Sequence, residues 1–501
     1  MSAARRSVPD RTPVLVAAAQ IVQRVEDPAE AREPLLLMED ALRAAADDAG
    51  APALLAQADR LSICQGLGKY ANPAAWLAER FGARAETVLG LISGTTVQQL
   101  VSDAARRIAA GGCDVVLIAG AEAEHSARRL RRAGGEPVRT KAEGPAPDRQ
   151  IGVQITPEEW KGPDLRAGLV SPAACFAVFE TALRHRLGLT VDEHRERIAS
   201  LWARNALVAA ENPYAWIRSA PGAREIATPS AQNPWIAAPY TKLLVANMVV
   251  DQAAALIVCS AERARRLGIA EDRWVYPHAA AEAVVVRSVS ERETLAAEPP
   301  LALVAERTCA LARLDPSDAA YLDFYSCFPV PVQLTAEALH LPLERPSTVT
   351  GGLTYGGGPF NSYVLHAIAT VVGKLRADRD ARALVTGVGG FFSKHAAGVY
   401  GGAPFEDGFA FADLADEVRA MPRRELAEDY IGEAEVESYT ANAKDGRLAQ
   451  AVIACRTPSG ARTWARASDT DAAERFAHED LVGARVQIAS DREIAGSIRS
   501  E

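Results

Sequence analysis

The chain has 501 residues, 49% of them hydrophobic and 24% charged, with a formal net charge of −9. That length exceeds what one hydrophobic core holds and predicts two to four domains, and the composition is that of a folded protein, not a disordered one. The acidic balance argues against a general nucleic-acid binder. No apolar stretch reaches the roughly 18 residues that span a bilayer, and the charged start MSAARRSVPDR is not followed by the apolar run of a signal peptide.

Seven cysteines, at positions 64, 113, 175, 259, 309, 327 and 455, lie singly and mostly in apolar segments. Without a CxxC pair or a His/Cys cluster they suggest neither a zinc site nor a disulfide framework, so no metal is expected. Scattered thiols of this kind suit a reducing cytoplasm.

In chain order, the sequence predicts a strand over Pro13–Ala19, a helix over Pro34–Asp48 and a strand over Asp59–Gly66. Glu86–Glu122 then reads as a βαβ unit, because parallel strands need a crossover. Thr87–Ile92 is a strand, Ser93-Gly94 a sharp turn, and the helix behind it has Val97, Leu100, Val101, Ala104, Ala105 and Ile108 at helical spacing. Thr95 or Thr96 is placed to cap this helix through its hydroxyl. Gly111-Gly112 stops it, and Asp114–Ala119 has the unbroken apolar character of a buried parallel strand. The turn sits at the carboxyl end of a strand, where α/β sheets place their chemistry.

From about 125 to 242 the pattern becomes local, with a helix near Ser171–His185 between loops, and predicts a cap over the core. A buried strand follows within Leu243–Ser260. The grammar of the first half then returns: a strand at Ala320–Phe324, a helix at Pro331–Leu339, and a strand, glycine turn and helix across STVTGGLTYGGGPFNSYVLHAIATVVGKL, closed by a strand at Ala383–Val388. Two halves of similar grammar indicate an internal duplication. After Met421-Pro422 come three strand-like runs parted by Lys444-Asp445-Gly446 and Pro458-Ser459-Gly460, then VGARVQI. That meander reads as a small, self-contained all-β barrel of the OB type. Its many carboxylates and few aromatics speak against single-stranded nucleic acid and for a docking or spacer role.

The stretch SGTTVQQLVSDAARRIAAGGCDVVLIAGAEA, the pair TGGLTYGGGP and GVGG, and VVDQAAA together resemble the thiolase superfamily over about residues 12–405. Within it the chain is most similar to acetyl-CoA acetyltransferase-like thiolases of the sterol-carrier-protein type and to thiolase-like proteins of type 1, which carry an additional C-terminal β domain. The resemblance implies a five-layered αβαβα core of two duplicated halves, at 12–285 and 286–405, plus an OB-like domain at 425–501. It also implies acyl-CoA chemistry in lipid metabolism by a nucleophilic cysteine, an activating histidine, a second cysteine, and an Asn or His that holds a catalytic water.

Carried over singly, those positions fall on residues that cannot do this chemistry. The nucleophile position is Gly94, the histidine of the Gly-His-Pro turn is Gly358, the cysteine of the late Cys-x-Gly motif is Val385, and Tyr325 stands where the Asn or His belongs. A thiolate with a base in hydrogen-bond reach is required, so ordinary thiolase activity is expected to be absent. The residues left to carry another acyl-transfer or hydrolytic chemistry are Cys327, as a displaced nucleophile, and His395, as a general acid or base, with Tyr325 beside them. Against this stand a Cys327 that is simply a buried small hydrophobe, a solvent-facing loop His395, and tyrosines, Tyr325 and Tyr355, that fill the volume left by Gly94 and Gly358.

Binding can outlast chemistry. CoA or an acyl-CoA is the expected ligand, with Gly94, Gly357 and Gly358 offering close backbone approach. Arg128 and Arg131, among Arg129, Arg132, Arg139 and Lys141, offer guanidinium groups for phosphates. Trp160, Trp216 and Trp235 are placed either to stack on adenine or to pack the cap. A third reading is a protein that docks a partner through residues 425–501.

Overall fold

The computed structural model describes residues 8–68, 70–141, 144–153 and 162–499. The first half begins with β1 (Pro13–Val22), α1 (Pro34–Asp48), β2 (Arg60–Cys64), α2 (Pro73–Phe81), β3 (Glu86–Gly90), α3 (Thr96–Ala109), β4 (Val115–Ala123), α4 (Glu124–Arg132) and β5 (Arg149–Ile151). The chain then enters the cap, with α5 (Pro172–Arg186), α6 (Val191–Glu211), β6 (Trp235–Ala238) and β7 (Tyr240–Thr241), and returns to the core as β8 (Asp251–Ser260). The first sheet has the order β1-β8-β4-β2-β3-β5. β3 and β4 are parallel, as the sequence predicts, but they are not neighbours, because β2 lies between them and pairs with both.

The second half contains β9 (Tyr276–Val284), α7 (Pro299–Leu311), β10 (Tyr321–Asp323), α8 (Pro329–Ala338), α9 (Tyr363–Ala377), β11 (Arg382–Gly389), β12 (Lys394–Gly401) and β13 (Ala410–Asp413). Its sheet runs β10-β11-β12-β9-β13. The residues before the glycine turn are not the expected strand. The Asp323 carboxylate takes the Val349 N–H at 3.0 Å and the hydroxyls of Thr348 and Thr350, so Thr348–Thr350 close on a side chain and not on a neighbouring strand.

α3 and α9 each pack against both sheets, α1 lies on the outer face of the first, and α7 on the outer face of the second. The result is a five-layered αβαβα core. The predicted face of α3 is all buried, and Gln98 and Gln99 are buried with it, so the helix is a central-layer element covered on nearly every side. Neither threonine caps it through a hydroxyl. Thr96 Oγ1 donates instead to the Leu91 carbonyl, and Thr95 Oγ1 meets Ser93 Oγ at 2.8 Å.

The C-terminal region holds β14 (Gly432–Lys444), β15 (Arg447–Arg456), β16 (Arg462–Ala467), α10 (Thr470–His478), β17 (Arg485–Ile488) and β18 (Ile494–Arg499). β14 pairs with β15 and β17, β15 with β16, and β17 with β18, while a parallel bridge from Arg466 to Glu493 brings the end of the chain back to β16. The ring β14-β15-β16-β18-β17, with α10 between β16 and β17 along the chain, is the partly open barrel of the OB type. It is not self-contained. β6 of the cap joins β14, through Ala238↔Ala441 and Ala237↔Asn442. The buried Arg462 grips Glu437 at 2.7 and 2.8 Å and donates to the carbonyls of Val289, Ser290 and Arg292 in the core. Polar side chains at the seam find their partners across it: Trp464 Nε1 donates to Ser290 Oγ at 2.8 Å, Thr440 Oγ1 to the Ala238 carbonyl at 2.9 Å, Asn442 Nδ2 to the Gly168 carbonyl at 2.9 Å, and Ser438 Oγ to the Val178 carbonyl.

Candidate functional site

The turn between β3 and α3 is fixed by one distant side chain. Asn361, just before α9, accepts the Ser93 N–H at 3.0 Å and donates to the carbonyls of Gln65, Gly90 and Leu91. At Gly94 the backbone is against other groups on two sides. An ideal Cβ there would lie 2.6 Å from the Tyr325 hydroxyl oxygen, and nearer still to the Val388 carbonyl oxygen of β11. From the other side, a Cβ on Gly387 would stand 2.7 Å from the Gly94 carbonyl oxygen, and one on Gly389 would run into Ser93 Oγ. Glycines on both partners therefore let turn and strand touch backbone to backbone.

Tyr325 is where the sequence places it, beside Gly94, and it fills that space. Its N–H donates to Thr386 Oγ1 at 2.9 Å, and its ring meets Tyr363 edge-on at 5.8 Å. Burial pushes its phenol far above the usual range. Gly357 and Gly358 serve packing in the same way. Gly357 has φ +107° and faces the side chain of Gln252, while the Gly358 N–H donates to the Asn247 carbonyl at 2.9 Å. Tyr355 is not among the groups nearest Gly358; it sends its hydroxyl to the Leu243 carbonyl at 3.0 Å. Val385 is fully buried in β11.

Cys327 is buried, and desolvation holds its thiol well above the usual range, which keeps thiolate scarce. His395 is not the expected solvent-facing loop residue. It lies within β12, 2% exposed, because Lys394–Gly401 form an eight-residue strand antiparallel to β11 and β9. Burial lowers its pKa, and Glu298 at 3.3 Å works against that shift. Glu298 is itself bound to Arg292 at 2.6 Å. Among the described residues no hydrogen bond joins His395 to Cys327 or Tyr325, so the structure does not assemble the three into an acid–base unit.

Arg128 and Arg131 project from α4 and share one carboxylate, Glu124, at 2.8 and 3.4 Å. Two cations on one anion leave this exposed face positive. Arg129 is committed to the carbonyls of Val25 and Glu26, and Arg139 to that of Gly68. Trp216 packs under Arg24 and against His125, and Trp235 against Arg195 and His478, so both are built into the surrounding structure. Trp160 lies outside the described residues. No group of three or more His, Cys, Asp or Glu side chains able to hold a metal ion occurs among the described residues, and none of their helices is long and apolar enough to cross a membrane.

One residue escaped the sequence reading. Glu122 ends the apolar run of β4, is 3% exposed, and lines a cleft of about 220 Å³ formed by the segment before α1, by α4 and by residues 135–139. Burial raises its carboxyl to about 7; the Leu67 N–H at 2.9 Å and Arg139 oppose the shift and Glu124 adds to it. A single acid closing an otherwise apolar strand was the available signal.

Residues 413–493 match the family described as thiolase-like protein type 1 additional C-terminal domain. The C-terminal region matches that additional domain, and the core ahead of it has a thiolase-like fold. Its fold is similar to the crystal structure of a monomeric SCP2-thiolase like protein type 1 from Mycobacterium smegmatis, with TM-score 0.82 and 28% identity over 98% of this chain and 100% of that one. The chain is also similar in fold to the Ltp2-ChsH2(DUF35) aldolase, with TM-score 0.56 and 22% identity over 79% of this chain and 98% of that one. For acetyl-CoA acetyltransferase from Syntrophomonas wolfei the TM-score is 0.56 and the identity 16%, over 78% of this chain and 99% of that one. No curated protein sequence matches the chain.

Proposed function

We propose that this thiolase-like protein binds CoA or acyl-CoA esters in the cytoplasm, as a component of lipid metabolism, and carries no thiolase chemistry of its own. The observation behind the reading is Tyr325 seated in the space that a side chain at Gly94 needs. A covalent acyl-thioester requires a thiolate and a base. The turn has neither, Cys327 has its thiol pushed up by burial, and His395 faces Glu298. For binding, the positive face of α4 offers Arg128 and Arg131 to phosphate oxygens, with Glu124 shared between them.

Calorimetric titration of CoA and acetyl-CoA tests the binding half. A Kd of micromolar to millimolar order is expected, about −8 to −4 kcal/mol, weakened several-fold in Arg128→Ala/Arg131→Ala. No heat and no competition at millimolar ligand would sink it. Thiol release and loss of acetoacetyl-CoA test the other half, with no rate above the uncatalysed one expected. Turnover by the unmodified chain that disappears in Cys327→Ala would instead make Cys327 the nucleophile.

A further inference from the structure

The cleft beside α4 has a built floor. Pro28, Ala29, Pro34, Ala127, Leu130 and Val138 supply apolar wall, and four carboxylates and two guanidinium groups also line it. Nearly all of these charges have partners. Glu33 accepts from the Tyr70 hydroxyl at 2.8 Å and from the N–H and hydroxyl of Thr140. Glu124 holds Arg128 and Arg131, Arg32 is paired with Asp40 at 2.6 Å, and Arg139 donates to the Gly68 carbonyl. Glu136 is exposed at the rim.

Glu122 differs from the rest. Its Oε1 accepts the Leu67 N–H at 2.9 Å, and a Cβ on Gly66 would lie only 2.7 Å from that oxygen, so the carboxyl is held in one orientation. Its Oε2 has no hydrogen-bond partner among the described residues and is not a sealed, unsatisfied atom. A buried carboxylate that keeps one oxygen open to a cleft gains from a donor supplied by a ligand.

We propose that this cleft is a binding site for a small organic cation, an alkylammonium group whose N–H donors meet Glu122 Oε2 while its chain lies on the apolar wall. The arginines lining the cleft are already engaged, and the free valence there is a carboxylate oxygen, so the site suits a cation and not an anion. At about 220 Å³ it lies below the roughly 300–1,000 Å³ of drug-sized pockets, so the occupant is small. The cleft shares α4 and Glu124 with the arginines offered to CoA, but neither Arg128 nor Arg131 lines it, and the proposal rests on Glu122 and stands or falls without the CoA reading.

The charge on Glu122 makes the site titratable near neutrality. The charged and titratable groups around it are Glu124 and Glu136 on and after α4, Glu33 and Arg32 at the start of α1, Tyr70 beyond Gly66, and Arg139. Burial is the main cause that lifts its carboxyl to about 7. A cation bound to the ionised form therefore displaces a proton.

The test is a ligand-observed NMR titration of the full chain with n-butylammonium chloride, with n-butanol as the uncharged control. Saturable binding of the ammonium at pH 8 is expected, weaker by about thirty-fold at pH 5.5, the ratio of ionised carboxyl for a pKa near 7. Glu122→Gln keeps an acceptor for Leu67 and should lose at least ten-fold in affinity. Equal binding by Glu122→Gln, equal binding of butanol, or affinity unchanged between pH 8 and pH 5.5 would each overturn the proposal. The pH arm uses the unmodified chain, so it decides the matter even where the variant fails to fold.

Discussion

The hydroxyl of Tyr325 and the α-carbon of Gly94 contest one space: a β-carbon on Gly94 would sit 2.6 Å from that oxygen. Adding a side chain therefore requires the tyrosine to leave, and on the other side the Val388 carbonyl, part of a strand, has nowhere to go. Overpacking of this kind costs about 1–3 kcal/mol. Gly94→Ala should lower the midpoint of denaturant unfolding accordingly. Gly94→Cys/Gly358→His should be less stable still and should show no thiolysis, because the new thiol meets Tyr325 before any substrate. A double variant as stable as the parent, with measurable thiolysis, would refute this packing argument.

Removal of the C-terminal domain should destabilise the core. β14 is paired with β6, and Arg462 reaches three core carbonyls. Breaking a buried pair by removing one partner costs about 3–5 kcal/mol, so Arg462→Met should show a loss toward the lower end of that range, since it leaves the buried Glu437 with the half-exposed Arg456, at 3.6 Å, as its remaining cation. A chain cut near Arg424 should aggregate where the full chain stays soluble. Soluble, cooperatively folded truncated protein, seen by gel filtration and a thermal melt, would restore the independent barrel.

Asp323 organises the loop before the glycine turn. Its two oxygens take the Val349 N–H, the hydroxyls of Thr348 and Thr350, and the Tyr363 hydroxyl at 2.9 Å. Burial lifts its carboxyl to about 6 in spite of those donors. Asp323→Ala leaves several buried donors without an acceptor, at about 1–3 kcal/mol for each that finds no other partner. A total near 3 kcal/mol by chemical denaturation is expected. A change within 0.5 kcal/mol, the usual range of surface substitutions, would mean the loop holds itself.

Acid should stabilise one place in the central layer. Burial raises Glu282 to about 7, opposed by the Gln99 amide at 3.4 Å. A carboxyl raised in the folded state binds its proton more tightly there than in the unfolded chain. Its contribution is thus full below about pH 4.5 and declines as pH rises through 7. Glu282→Gln removes the decline. Relative to the parent it should gain about 1–3 kcal/mol at pH 8, discounted for partial exposure, and nothing at pH 4. A variant difference that is the same at both pH values would show that Glu282 does not titrate as its burial implies.

Much of this was legible locally. The buried face of α3 follows from the spacing of Val97, Leu100, Val101, Ala104, Ala105 and Ile108, and the burial bears it out. The turns at Asp445-Gly446 and at Gly460 carry positive φ at the residues that tolerate it, which is why the β14–β15–β16 meander could be read from composition. Tyr325 beside Gly94 was placed by motif alone. His395 was misjudged because FFSKHAAG has no period-2 pattern: β12 is buried on both faces, and alternation disappears in such a strand.

Residue order determined the helices, most strands, the repeated grammar of the two halves and the glycines at positions 94 and 358, since these depend on near neighbours and side-chain identity. Tertiary structure alone decided that β2 separates β3 from β4, that Asn361 locks the Ser93 turn 268 residues away, that Arg462 ties the barrel to the core, and that Glu122 faces a cleft. Each of these is a contact between segments far apart in the chain, chosen by packing and by the need of buried polar groups for partners, and no local pattern encodes it.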